Sequence, residues 1–134
     1  MTWAELSASL QARWSITSRR PDSLTAVVKL QGRSQKLVLV KQGGTLTVLA
    51  EVCYKEQLAG HEALRYNATS AHGDLALVGG VYALRRQLAL DRASLADVEE
   101  SLGDSAVEAT VLAQRVARPP LASAVSQAYA GYLD

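Results

Sequence analysis

His61, His72 and Cys53 are the residues of this 134-residue chain best suited to hold a metal ion or to act as base and nucleophile. Their spacing argues against both. Zinc ligands usually come in pairs about two to five residues apart, so that a short turn aims them at one ion. Here the end of an expected helix separates the two histidines. Cys53 sits in an expected strand, on the alternation opposite to Leu46 and Val48, with no Cys–His–Asn pattern to activate it. Glu99-Glu100 could be an acid/base pair only if their surroundings drove them apart in acidity, and they read as a solvated helix face. Gly79-Gly80 lacks the strand–glycine–helix context that cradles a phosphate. No catalytic, cofactor-binding or metal-binding constellation is expected, and the chain reads as non-enzymatic.

Composition narrows the classes further. The 14 basic and 13 acidic residues leave a net charge of +1, with both signs interspersed. Arg19-Arg20 and Arg85-Arg86 are pairs rather than patches, which argues against nucleic acid, whose phosphates need clustered cations. No apolar run is long enough to span a bilayer, and residues 1–30 lack the basic-then-apolar layout of a signal peptide. One cysteine permits no internal disulfide and suits a reducing compartment. The expectation is a soluble cytoplasmic protein, in which Asn67-Ala68-Thr69 is a chance sequon. There is no Phe, but there are 2 Trp and 5 Tyr, aromatics that favour contact surfaces.

The elements that position these residues can be read in order. Thr2-Trp3-Ala4-Glu5 matches a capping box. Trp3, Leu6, Leu10 and Trp14 recur at helical spacing, so residues 3–14 form an amphipathic helix that covers a sheet or offers a docking face. A polar lead-in with Pro21-Asp22 turn chemistry follows. Residues 24–30 alternate as a strand, with Leu24, Ala26, Val28 and Leu30 on one face. Leu37 to Val40 lie in a second strand and residues 45–54 form a third, separated by glycine turns at Gly32 and Gly43-Gly44. From residue 55 to 70 the period becomes helical, with Leu58, Glu62, Leu64 and Tyr66, and the helix is interrupted or begun near Gly60.

Residues 73–90 organise the rest. They read as a hairpin about Gly79-Gly80, with Tyr82, Leu84, Leu88 and Leu90 on one face of its second strand. Arg86 falls on that same face. Either its guanidinium pairs with a buried acid or, the favoured reading, its stem snorkels at the sheet margin. Ser94 caps a final helix with Asp97 in its first turn. Ser105-Ala106-Val107-Glu108 could start a new helix. Leu95, Val98, Leu102, Ala109, Leu112 and Val116 keep one phase across Gly103, which favours a single helix over 94–117. Pro119-Pro120 stops it. One domain is expected over 1–118, with 119–134 as a tail, either a short docking helix or disordered.

The fold class is therefore α+β, in the order α-β-β-β-α-β-β-α, with helices packed on an antiparallel sheet. Leu64-Arg65-Tyr66-Asn67, the strand Leu75-Ala76-Leu77-Val78, the strand from Val81 through Leu84-Arg85-Arg86-Gln87-Leu88-Ala89-Leu90, and the opening Ser94-Leu95-Ala96-Asp97-Val98 carry a resemblance. In this order and size they resemble the type III secretion chaperone fold, shared by the Tir-chaperone (CesT) family and YbjN-like domains. The resemblance covers residues 2–117. The chain departs from it in being near neutral, where effector chaperones tend to be acidic, and in carrying the tail. The resemblance implies a non-catalytic homodimer that holds an extended segment of a client protein by strand addition and apolar pockets. It implies client contacts at Trp3, Leu10, Trp14, Leu37 and Leu39, and a dimer interface at Leu75 and Leu77 with the preceding helix. The alternative is a YbjN-like regulatory or scaffold domain that binds a folded partner.

Overall fold

The computed structural model describes residues 1–71 and 73–117. The expected tail 119–134, the boundary at 118 and His72 lie outside the described residues. Helix α1 (Trp3–Arg13) begins at the foreseen capping box: the Glu5 amide donates to the Thr2 hydroxyl at 3.2 Å, and the Thr2 amide donates back to the Glu5 carboxylate at 3.4 Å. Strands β1 (Ile16–Arg20), β2 (Ser23–Leu30), β3 (Arg33–Gln42) and β4 (Thr45–Tyr54) follow as an antiparallel meander. A short 3-10 turn leads to α2 (Gly60–Thr69), then β5 (Asp74–Val78), β6 (Val81–Ala89) and α3 (Leu95–Ala117). The sheet has six strands in the order β1-β2-β3-β4-β6-β5.

The sheet thus contains the expected meander and hairpin plus one further strand. β1 occupies the stretch read as a polar lead-in, and it joins β2 through the two-residue turn Pro21-Asp22. Its residues are too polar to alternate, and it exists because β2 offers it an edge. α3 runs unbroken through Gly103, as the common apolar phase requires. Ser94 and Asp97 cap it reciprocally, at 2.9 and 3.1 Å.

Cross-strand partners share a face, so the register sorts the side chains. Ala26, Leu37, Ala50, Leu84 and Leu75 form one row, and Leu24, Leu39, Val48 and Arg86 another. These rows face the helices. Leu6 and Leu10 of α1 and Val98, Leu102, Ala106 and Ala109 of α3 close over them in the main core. Complete burial of each such leucine is worth about 1.5–3 kcal/mol. A second cluster joins Ala63 of α2, Leu75 of β5 and Leu112 of α3. The opposite face carries the row Thr25, Val38, Leu49, Arg85 and Asp74, and the valines Val27 and Val40 are half-buried on it.

Two expected faces change. The register shifts between Glu51 and Cys53, which turns Cys53 inward to a buried position. On α2 the buried residue is Ala63, while Leu64 is 71% exposed and Glu62 is exposed as well. The helix is therefore rotated from the phase that Leu64 suggested, and Tyr66 alone of the expected stripe within α2 packs inward.

Candidate protein-binding surface

The groups that chemistry would need are scattered. Cys53 is buried, and burial pushes its thiol pKa up, which keeps it protonated and a poor nucleophile. His61 is exposed on α2. Among the described residues no three His, Cys, Asp or Glu side chains gather to hold a metal ion. Glu99, expected on a solvated helix face, is structural. Its Oε2 accepts from the Trp14 indole at 2.9 Å and lies 3.0 Å from the Arg13 Nε. Only the position of Trp14, four residues past Leu10 on the same stripe, could have hinted that it needed a polar partner.

Two of the surfaces open to a partner are the ends of the sheet. At one end β1 is the terminal strand, and all its residues after Ile16 are exposed. Helix α1 lies beside it. The Trp3 indole donates to the Pro21 carbonyl at 2.8 Å and fixes the start of the helix to the β1–β2 turn. Between them runs a groove of about 590 Å³ bordered by Ala4, Ala8, Gln11, Arg19 and Arg20. At the other end β5 is the terminal strand. Leu77 is 56% and Val78 48% exposed there, and α2 packs beside β5. The Asn67 amide side chain locks that packing: it accepts from the Leu75 amide at 2.6 Å and donates to the Leu75 carbonyl at 3.0 Å.

The expected contact residues divide accordingly. Leu10, Leu37 and Leu39 lie in the main core, at no more than 1% exposure, and as folded they offer a partner no surface. The alternation that marked them as a contact face marked the face that α1 and α3 cover. Trp3 and Trp14 are half-buried, each with its indole nitrogen engaged and part of its ring outward. Leu75 is buried in the α2–β5 contact, whereas Leu77 is open. Sequence reasoning missed the β1 edge and the exposed Tyr54, while the exposed Leu64 and Val78 lie on the helix and strand expected at a dimer interface.

Arg86 matches neither of its expected settings in full. It lies on the helical face opposite Val48, one strand in from the sheet edge. Its Nη1 is 3.7 Å from Asp104, an exposed rather than a buried acid, and makes no hydrogen bond.

No helix of the described residues is long and apolar enough to cross a membrane. No family model matches the chain, and no curated protein matches it by sequence. Among solved structures, a chain in the structure of the HopA1–SchA chaperone–effector complex is similar, with a TM-score of 0.60 at 12% identity. The match covers 82% of this chain and 88% of that one. The six-stranded antiparallel sheet with helices on one face is therefore the type III secretion chaperone-like α+β fold.

Proposed function

We propose that this chain is a non-catalytic protein-binding module that acts as a homodimer and holds an extended segment of a client protein. The observation that carries the reading is that β1 and β5 are the terminal strands of the sheet, with β1 exposed beyond Ile16 among the described residues, on a fold similar to one found in a chaperone–effector complex. An edge strand presents unpaired backbone groups, which an extended peptide can satisfy by adding a strand. A client that orders only on binding spends part of its interaction energy on that ordering, so it stays releasable. The second copy is assigned to the β5 end, where Leu77, Val78 and Leu64 are exposed and apolar. The buried, unactivated Cys53 suits residence in the reducing cytoplasm.

The deciding experiment is capture of partners from the native host, followed by hydrogen exchange on the purified complex. A client held through a segment that is unprotected when free and protected when bound supports the reading. Capture of folded partners alone, with no such segment, sinks it in favour of a scaffold domain. Light scattering tests the homodimer: a strict monomer at micromolar concentration removes the second copy.

A further inference from the structure

We infer that the cavity between the end of β6 and the first half of α3 is a binding site for a small zwitterion, a free α-amino acid with an aliphatic side chain. The inference is separate from the protein-binding reading above, and neither depends on the other. The cavity has a volume of about 350 Å³, within the range of sites that hold small ligands. Among the described residues four buried side-chain polar atoms lack a hydrogen bond. Two of them, Arg86 Nη1 and Ser101 Oγ, belong to residues in the wall of this one cavity. Buried polar groups are nearly always paired, so two orphans in one wall call for a partner that the chain does not supply. Arg86 is set apart from the other cations in this, since no other Lys or Arg among the described residues has a buried nitrogen without a hydrogen bond. Its side chain is 28% exposed, so the guanidinium borders the cavity although Nη1 is shut from water.

The charges of the cavity are sorted by wall. Asp97, Glu100, Ser101 and Asp104 are linked by three- and four-residue steps, which places them along one face of α3. Arg86 of β6 and Arg92 of the β6–α3 connection line the other wall. Asp97 is held to the cap, where it accepts from the Ser94 amide at 2.9 Å. Asp104 lies 3.7 Å from Arg86 Nη1, too far for a hydrogen bond. Glu100 has neither an ion pair nor a hydrogen bond among the described residues. A lone anion would meet the carboxylates of α3, and a lone cation would meet two guanidinium groups. A metal ion does not fit, because among the described residues no three His, Cys, Asp or Glu side chains gather to hold one. A molecule with both charges suits both walls. Its carboxylate takes the Arg86 guanidinium through paired hydrogen bonds and accepts from the Ser101 hydroxyl. Its ammonium donates to Glu100, and its side chain rests on Leu88, Ala89 and Ala93, the apolar part of the lining.

The test is a titration of the full chain with L-leucine, followed through amide shifts. Beside it run N-acetyl-leucine, which lacks the ammonium, and leucinamide, which lacks the carboxylate. Leucine should bind saturably with a dissociation constant on the order of millimolar, as suits a ligand of so few atoms. It should shift the amides of residues 86–89 and 97–104. Each blocked analogue loses a charge-assisted contact and should bind about tenfold more weakly. Arg86→Met, which keeps the stem, should weaken leucine by about tenfold. Glu100→Gln, at an exposed helix position where folding is not at stake, should weaken it by about threefold and decides the matter if Arg86→Met does not fold. No saturable binding of leucine, shifts confined to other residues, equal binding by either blocked analogue, or full affinity in the folded variants would each overturn the site and leave ordered water as the partner of Arg86 and Ser101. None of these outcomes bears on the capture of a client, which tests the protein-binding reading alone.

Discussion

The indole of Trp14 donates to the carboxylate of Glu99 at 2.9 Å, and so fastens the end of α1 to the start of α3 across the sheet. Arg13 meets the same oxygen at 3.0 Å, but its side chain is 61% exposed while that of Glu99 is 20% exposed. A hydrogen bond to a charged acceptor contributes about 1.5–3 kcal/mol, whereas an exposed ion pair contributes about 0–1 kcal/mol. Trp14→Phe, which keeps an aromatic ring, and Glu99→Ala should each destabilise by about 1–2 kcal/mol. Arg13→Ala should cost less than about 0.5 kcal/mol. Urea denaturation of both single variants and the double should give a coupling of about 1 kcal/mol. Additive effects would mean that the indole contact stabilises nothing.

Two glycines should respond with opposite sign. Gly73 has φ +114°, and a Cβ there would collide with the backbone carbonyl of Arg85 and the side chain of Arg86. The carbonyl belongs to β6 and cannot yield without disturbing the hairpin. Gly73→Ala should cost more than about 2 kcal/mol. Gly103 lies inside α3 with open space around its Cβ position and no positive φ. There glycine only lowers helix propensity, and Gly103→Ala should stabilise by about 0.5–1 kcal/mol. Thermal melts of the two variants measure both changes.

Tyr66 should make stability fall in alkali. Burial raises its pKa most; a hydrogen bond with Ser70 lowers it, and the charge of Glu108, whose Oε1 accepts from the phenol at 3.1 Å, raises it again. With a folded pKa above the unfolded value of about 10, the native state binds more protons in the window between them. The contribution is therefore complete below about pH 10 and is lost as pH rises through the folded pKa. Tyr66→Phe should flatten the alkaline slope in urea titrations between about pH 9 and 11. An unchanged slope would assign it to other groups, Cys53 among them.

Several features with a purely local cause are legible in the sequence. The capping box at Thr2, the cap at Ser94 and the hairpin about Gly79-Gly80 each have a short-range cause, and all three stand in the structure. The misses have long-range causes. β1 is a strand because β2 pairs with it, not because its own residues alternate. Leu37 and Leu39 announce a buried face, but alternation cannot say whether helices of the same chain or a partner covers it. Glu99 has a partner 85 residues away. The groove between α1 and β1 was illegible for the same reason: it exists only once the two elements lie side by side.

Arg86 offers a final test, because its surroundings combine a packed stem with an unsatisfied head. Nη1 is buried without a hydrogen bond, and the nearest carboxylate, Asp104, is 3.7 Å away with its side chain 56% exposed. A buried donor without a partner costs about 1–3 kcal/mol, and an apolar residue of similar shape escapes that cost. The stem meanwhile covers apolar surface beside Leu88 and Val48. Arg86→Met keeps the stem and removes the head, so it should leave stability unchanged or raise it by up to about 1 kcal/mol. Arg86→Ala removes both and should destabilise by about 1–2 kcal/mol. Asp104→Asn should change stability by less than about 0.5 kcal/mol, as expected for an exposed pair. Denaturation midpoints for the three variants decide the matter: if Arg86→Met loses as much as Arg86→Ala, the guanidinium has a stabilising partner and the long contact to Asp104 is stronger than its distance implies.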